Sequence, residues 1–94
     1  MAFLVVRHKV SDYSQWRPIY DQHGVARKAA GCQGTQVFRS SSDPNEVIAL
    51  LDWDSHENAR KFAESADLRE TMQKAGVIDQ PDIYFLDDAG RTAQ

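Results

Sequence analysis

Hydrophobic and polar positions change period several times along the chain. Residues 3–10, FLVVRHKV, start as an unbroken apolar run rich in β-branched residues and end in charge, the pattern of a strand covered on both faces. From Ser11 the period becomes helical. Tyr13, Trp16, Ile19, Tyr20, His23, Ala26, Arg27 and Ala30 share one stripe at about 100° per residue, with Ser14, Asp21, Val25 and Lys28 pointing away. Ser11 or Asp12 supplies the cap and Gly31 the stop. A proline is tolerated only in a first turn, so a short turn over 12–16 is expected, followed by a main helix entered near Pro18.

Residues 34–40, GTQVFRS, and 46–53, EVIALLDW, predict two strands joined by a turn around Asp43, Pro44 and Asn45. Asp54 or Ser55 then caps a second helix with Ala59, Phe62, Ala63 and Ala66 on its buried stripe. Asp67 followed by Glu70 repeats the capping signal, which predicts a break and a restart through Leu68, Met72 and Ala75 to Gly76. Pro81 opens a last strand, DIYFLD, and residues 89–94, AGRTAQ, form a polar C-terminal tail. The order βαββαβ predicts an α+β, ferredoxin-like fold over a single domain of residues 1–88: a four-stranded antiparallel sheet with helices on one face. Its first and third strands, the most apolar, belong at the centre. Helices on one face leave the other bare, yet both faces of these strands are apolar, Phe3 and Val5 against Leu4 and Val6 and Ile48 and Leu50 against Val47 and Leu51. A homodimer through the sheet face is the economical cover.

Composition and charge remove several function classes. The 94 residues carry 11 Lys+Arg against 14 Asp+Glu, a net charge of −3 without charge blocks, which argues against nucleic-acid and anionic-membrane partners. The longest apolar runs, residues 2–6 and 47–51, fall far short of the roughly 20 needed to cross a bilayer. The chain opens without a basic leader, so no secretory signal is expected, and the single Cys32 cannot form an internal disulfide. A cytoplasmic location is the expectation. Three histidines and one cysteine without short ligand spacings predict no metal site.

Candidate chemistry concentrates on the first helical stripe, where Trp16, Tyr20, His23 and Arg27 lie within about 60° of arc. Buried charge is costly unless paired, so these residues predict either a polar cavity between helix and sheet, with His23 as proton carrier and Arg27 as anion or enolate stabiliser, or a closed structural network in which Arg27 reaches a carboxylate such as Asp52. His8 and Arg7 end the first strand on opposite faces. His56, in a helix's first turn, is expected to face solvent, and Cys32 to be a small buried thiol.

The segments DYSQWRPIYDQHGVARKAAG, VFRSSSDPNEVIALLDWD, ENARKFAESADLRETMQKAGV and PDIYFLD together resemble the dimeric α/β-barrel superfamily over residues 3–88. Within it the chain is similar to a group of small bacterial proteins of unassigned activity related to the antibiotic biosynthesis monooxygenases. The resemblance implies a dimeric α/β barrel with a cavity in each subunit for a small hydrophobic or aromatic ligand. It also implies a cofactor-free monooxygenase or cyclase acting on aromatic or polyketide-like substrates, or else a non-catalytic ligand-binding or structural dimer. By the same resemblance Trp53 lines the cavity, or else it is a large core aromatic at a strand end; Trp16 and Tyr20 on the helical stripe and the inward Phe62 are expected as further ligand contacts. In the superfamily's haem-degrading branch a helix histidine ligates iron, and here the inward position is Phe62, so no haem and no other cofactor is expected.

Overall fold

A computed structural model describes residues 2–94. The described residues form strands β1 (Ala2–Lys9), β2 (Cys32–Arg39), β3 (Glu46–Trp53) and β4 (Asp82–Asp87). The helices are α1 (Tyr13–Gln22), α2 (Gly24–Ala30), α3 (His56–Ala63) and α4 (Ala66–Lys74). The sheet is antiparallel in the order β2-β3-β1-β4, so the two most apolar strands are central as expected, in a ferredoxin-like arrangement. Alternation along β1 and β3 buries Ala2, Leu4, Val6 and His8 with Val47, Ala49, Leu51 and Trp53 under the helices.

Two helical details depart from the sequence reading. Pro18 lies inside α1 rather than before it, on an exposed turn where water can take over the Ser14 carbonyl that the proline leaves without a donor. Asp12 caps the helix through Ser14 N, and the buried Trp16 ties its first turns to the sheet. The break comes instead at His23, ahead of Gly24, a poor helix former. Further on, α3 and α4 do separate, but Ser65 caps α4 by accepting from Leu68 N, and Asp67 sits in its first turn. Ser55 caps α3 in the same way.

Gly31 ends α2 at φ 116°, and an added Cβ there would meet the Asp54 carboxylate at 2.5 Å. The backbone then enters β2 through an irregularity between Cys32 and Gly34, beside Trp53 and Asp52 of β3. The β2β3 turn is held as predicted by Asp43, which accepts from Asn45 N with its side chain and from Glu46 N with its carbonyl.

The second face of the sheet carries Phe3, Val5, Ile48 and Leu50, with Phe38, Tyr84 and Leu86 exposed around them. At one end of it Arg7 donates to Glu46 at 2.8 Å, Asp79 at 3.0 Å and Asp82 at 2.8 Å, and these partners raise its pKa. No helix among the described residues is long and apolar enough to cross a membrane.

Candidate functional site

Six of the eight helix-facing positions of β1 and β3 are small or aliphatic, which leaves room above the sheet for aromatic side chains from α1. Trp16 fills it. Its ring stacks on Tyr20 at 4.6 Å between centroids, tilts against Tyr13 and meets the His8 ring edge-on at 5.6 Å. Between this aromatic layer, the sheet and α4 lies a cavity of about 40 Å³. Trp16, Tyr20, His23, Arg27 and Phe62 all border it, together with His8. Five of the six expected site residues therefore converge, although the helix breaks between His23 and Arg27. Trp53 is the exception: it sits in the core with its ring 5.0 Å from Phe62, and its Nε1 has no partner among the described residues.

His23 donates from Nε2 to Asp67 Oδ2 at 2.7 Å and tilts over Phe62. Because an ionised carboxylate only accepts, this contact sets the tautomer in which Nδ1 holds the lone pair. Arg27 is 6% exposed and does not reach Asp52, which projects from the opposite face of the sheet. Its guanidinium instead donates to the Tyr20 carbonyl at 2.8 Å and lies 3.8 Å above the Tyr20 ring. The Tyr20 hydroxyl in turn bonds Thr35 Oγ1, and burial raises its pKa. A buried cation satisfied by a carbonyl and a π face, with no ion pair among the described residues, favours negative charge nearby. Arg27 also borders an open cleft of about 530 Å³ with Gly24, Lys28, Cys32 and Thr35. Burial raises the Cys32 pKa, so this thiol is not activated.

Sequence reasoning left His8 between two faces, and the structure decides it. Arg7 takes the open face while His8 turns inward, 4% exposed, with neither ring nitrogen bonded to any described residue. Burial lowers its pKa to about 4. The available signal was register: Leu4, Val6 and His8 alternate with Val5 and Arg7. His56 is exposed, as expected, with Nε2 donating to Asp87 at 2.6 Å. No three His, Cys, Asp or Glu side chains among the described residues gather into a possible metal site. A larger groove, about 460 Å³, runs between α4 and β4, and Leu68 and Met72 line both it and the inner cavity.

The family model of antibiotic biosynthesis monooxygenases matches residues 13–74. No curated protein matches the chain. Among solved structures it is similar to a protein from Bordetella bronchiseptica assigned as an antibiotic biosynthesis monooxygenase, at TM-score 0.80 and 19% identity over 94% of this chain and 96% of that one. It is also similar to SnoaB, a cofactor-independent oxygenase from Streptomyces nogalater, at TM-score 0.79 and 9% identity over 99% and 97%. A third is the monooxygenase from the gene ActVA-Orf6 of Streptomyces coelicolor, solved with nanaomycin D, at TM-score 0.71 and 19% identity over 99% and 91%. At these identities the likeness is one of fold.

Proposed function

The chain belongs to the antibiotic biosynthesis monooxygenase family, and on that premise we propose that it is a cofactor-free monooxygenase or cyclase acting on a small aromatic or polyketide-like substrate. The support for this reading is the convergence on one cavity with aromatic walls of two histidines and an arginine that has no ion pair among the described residues. His23 takes the substrate's proton at Nδ1, with Asp67 steadying the imidazolium that results. Arg27 holds the developing oxyanion. In an oxygenation the deprotonated phenol then supplies the electrons: phenol and dioxygen give quinone and water, and one oxygen atom enters the ring. Trp16, Tyr20 and Phe62 keep bulk water away from that anion. The natural setting is a reducing cytoplasm, which suits the single thiol.

A cavity of about 40 Å³ holds water but not an aromatic ring, so ligand binding requires a wall to move. That wall is α4, which has Leu68, 9% exposed, as its one buried residue and the unbranched Met72 beside it. Displacing those two side chains joins the cavity to the groove of about 460 Å³. The same small volume and the packed His23–Asp67 contact favour a second reading, a non-catalytic structural or ligand-binding dimer.

His23→Ala separates the two. Arg27 keeps its own partners and Asp67 is exposed to water, so a cavity residue is expected to cost no more than about 1 kcal/mol in denaturant midpoint while stabilisation by added quinones and phenols is lost. A loss of about 3 kcal/mol with no ligand binding either protein supports the structural dimer instead.

The homodimer forms through the open sheet face, where Phe3, Val5, Ile48 and Leu50 meet their copies. Sedimentation at micromolar concentration is expected to give twice the 10.6 kDa chain mass, and Leu50→Asp to dissociate or unfold the protein by burying an unpaired charge. A monomeric wild type ends this part of the reading.

A further inference from the structure

We propose that His8 is the hydroxyl-recognition residue of the inner cavity: in the bound complex, before any proton is taken by His23, its ring nitrogen accepts the hydrogen bond of a planar phenol or enol held among the aromatic side chains. This rests on the ligand-cavity reading above and adds to it a residue and its contact with the substrate hydroxyl.

The position itself is the first observation. Along the helix-facing side of β1, Ala2, Leu4 and Val6 are followed by His8, opposite Val47 in the β1–β3 ladder. An aliphatic residue would continue the core there. The histidine instead brings two polar atoms into a site that is 4% exposed, and neither finds a partner among the described residues. Buried polar groups in folded proteins are almost always bonded, and a side chain left open at a thermodynamic cost marks a place where something else supplies the bond.

The surroundings say what that is. His8 borders the cavity with Arg27, which only donates, and with the apolar faces of Trp16, Tyr20 and Phe62. Burial keeps the imidazole neutral at pH 7, so one ring nitrogen accepts and the other donates. A ligand complementary to this set is flat and apolar, with an O–H for His8 and an oxygen acceptor for Arg27. Phenols and enols have both features, whereas an aryl methyl ether keeps the ring and the oxygen but has no proton to give.

The test uses 1-naphthol and 1-methoxynaphthalene, titrated calorimetrically into the full chain as wild type, His8→Leu and His8→Gln, with denaturant midpoints measured in the absence of either compound. Wild type is expected to prefer the naphthol by about tenfold, the worth of one neutral hydrogen bond. His8→Leu binds both equally and unfolds at the same or higher denaturant, because an unbonded polar group has been replaced by an apolar one of similar volume. His8→Gln, which keeps an acceptor, retains a preference of the same sign. A His8→Leu protein that keeps the full preference, or that unfolds at lower denaturant than wild type, overturns the assignment of His8 alone. So does a His8→Gln protein without preference. If wild type binds neither compound, the ligand-cavity reading falls and takes this proposal with it.

Discussion

Trp16→Ala is expected to destabilise the protein by about 3–5 kcal/mol, the range for removing a fully buried large aromatic from a core that cannot close around the gap. Trp16 is 2% exposed and packs in one cluster with Val10, Val47 and Ala75. Its ring is also the shared surface on which Tyr13, Tyr20 and His8 rest. Losing it removes the anchor of α1 and the wall of the cavity together. Denaturant midpoints should be compared at fixed protein concentration, since association contributes to apparent stability. Trp16→Phe is expected to recover a large part of the loss. A Trp16→Ala protein within 1 kcal/mol of wild type would mean that the aromatic layer does not hold α1 on the sheet.

The second large effect is a dependence on pH. His8 titrates near 6.5 when unfolded, and burial lowers it to about 4 in the folded protein, with Arg7 pushing the same way and Asp79 opposing. Between those values the unfolded chain holds a proton that the folded one refuses. Stability is therefore full above about pH 6.5 and declines as the pH falls toward 4, by about 3 kcal/mol. The cavity also places His23 and Arg27 near this ring, and neither offers it an anion. The carboxylates of Asp79, held low chiefly by the Lys9 backbone N–H, and of Asp87, held low by His56, keep their contributions down to their ordinary value of 3.8 and lose them below it. Subtracting the midpoints of His8→Leu from those of wild type at pH 7.5, 5.5 and 4 isolates the histidine. Parallel curves for the two proteins would show that His8 is not the group responsible.

Strand β3 was legible to the residue, since EVIALLDW is a short apolar run bounded by turn chemistry on one side and a helix cap on the other. The split of the C-terminal helical segment was legible too, because a cap must leave its signature locally, although the residue doing the capping was Ser65 rather than Asp67. Pro18 was misread for a physical reason. The cost of proline in a helix depends on whether the orphaned carbonyl is exposed, and exposure is a property of the packed protein. Asp52, the carboxylate offered for Arg27 in the closed-network alternative, is out of reach for a similar reason: helical spacing shows that Arg27 faces inward, but the face from which Asp52 projects depends on strand register across the sheet.

The sequence by itself determined the βαββαβ order, the two central strands, the apolar second face and the stripe bearing Trp16, Tyr20, His23 and Arg27, because each follows from a period that neighbouring residues share. Only the tertiary structure decided which partner each polar group of that stripe finds, that Trp53 lies in the core beside Phe62 rather than on the cavity, and that His8 rather than Arg7 turns inward. Those outcomes depend on contacts between residues distant in the chain, whose distances no local pattern carries, and on burial, which acts on a polar group only once the layers have closed over it.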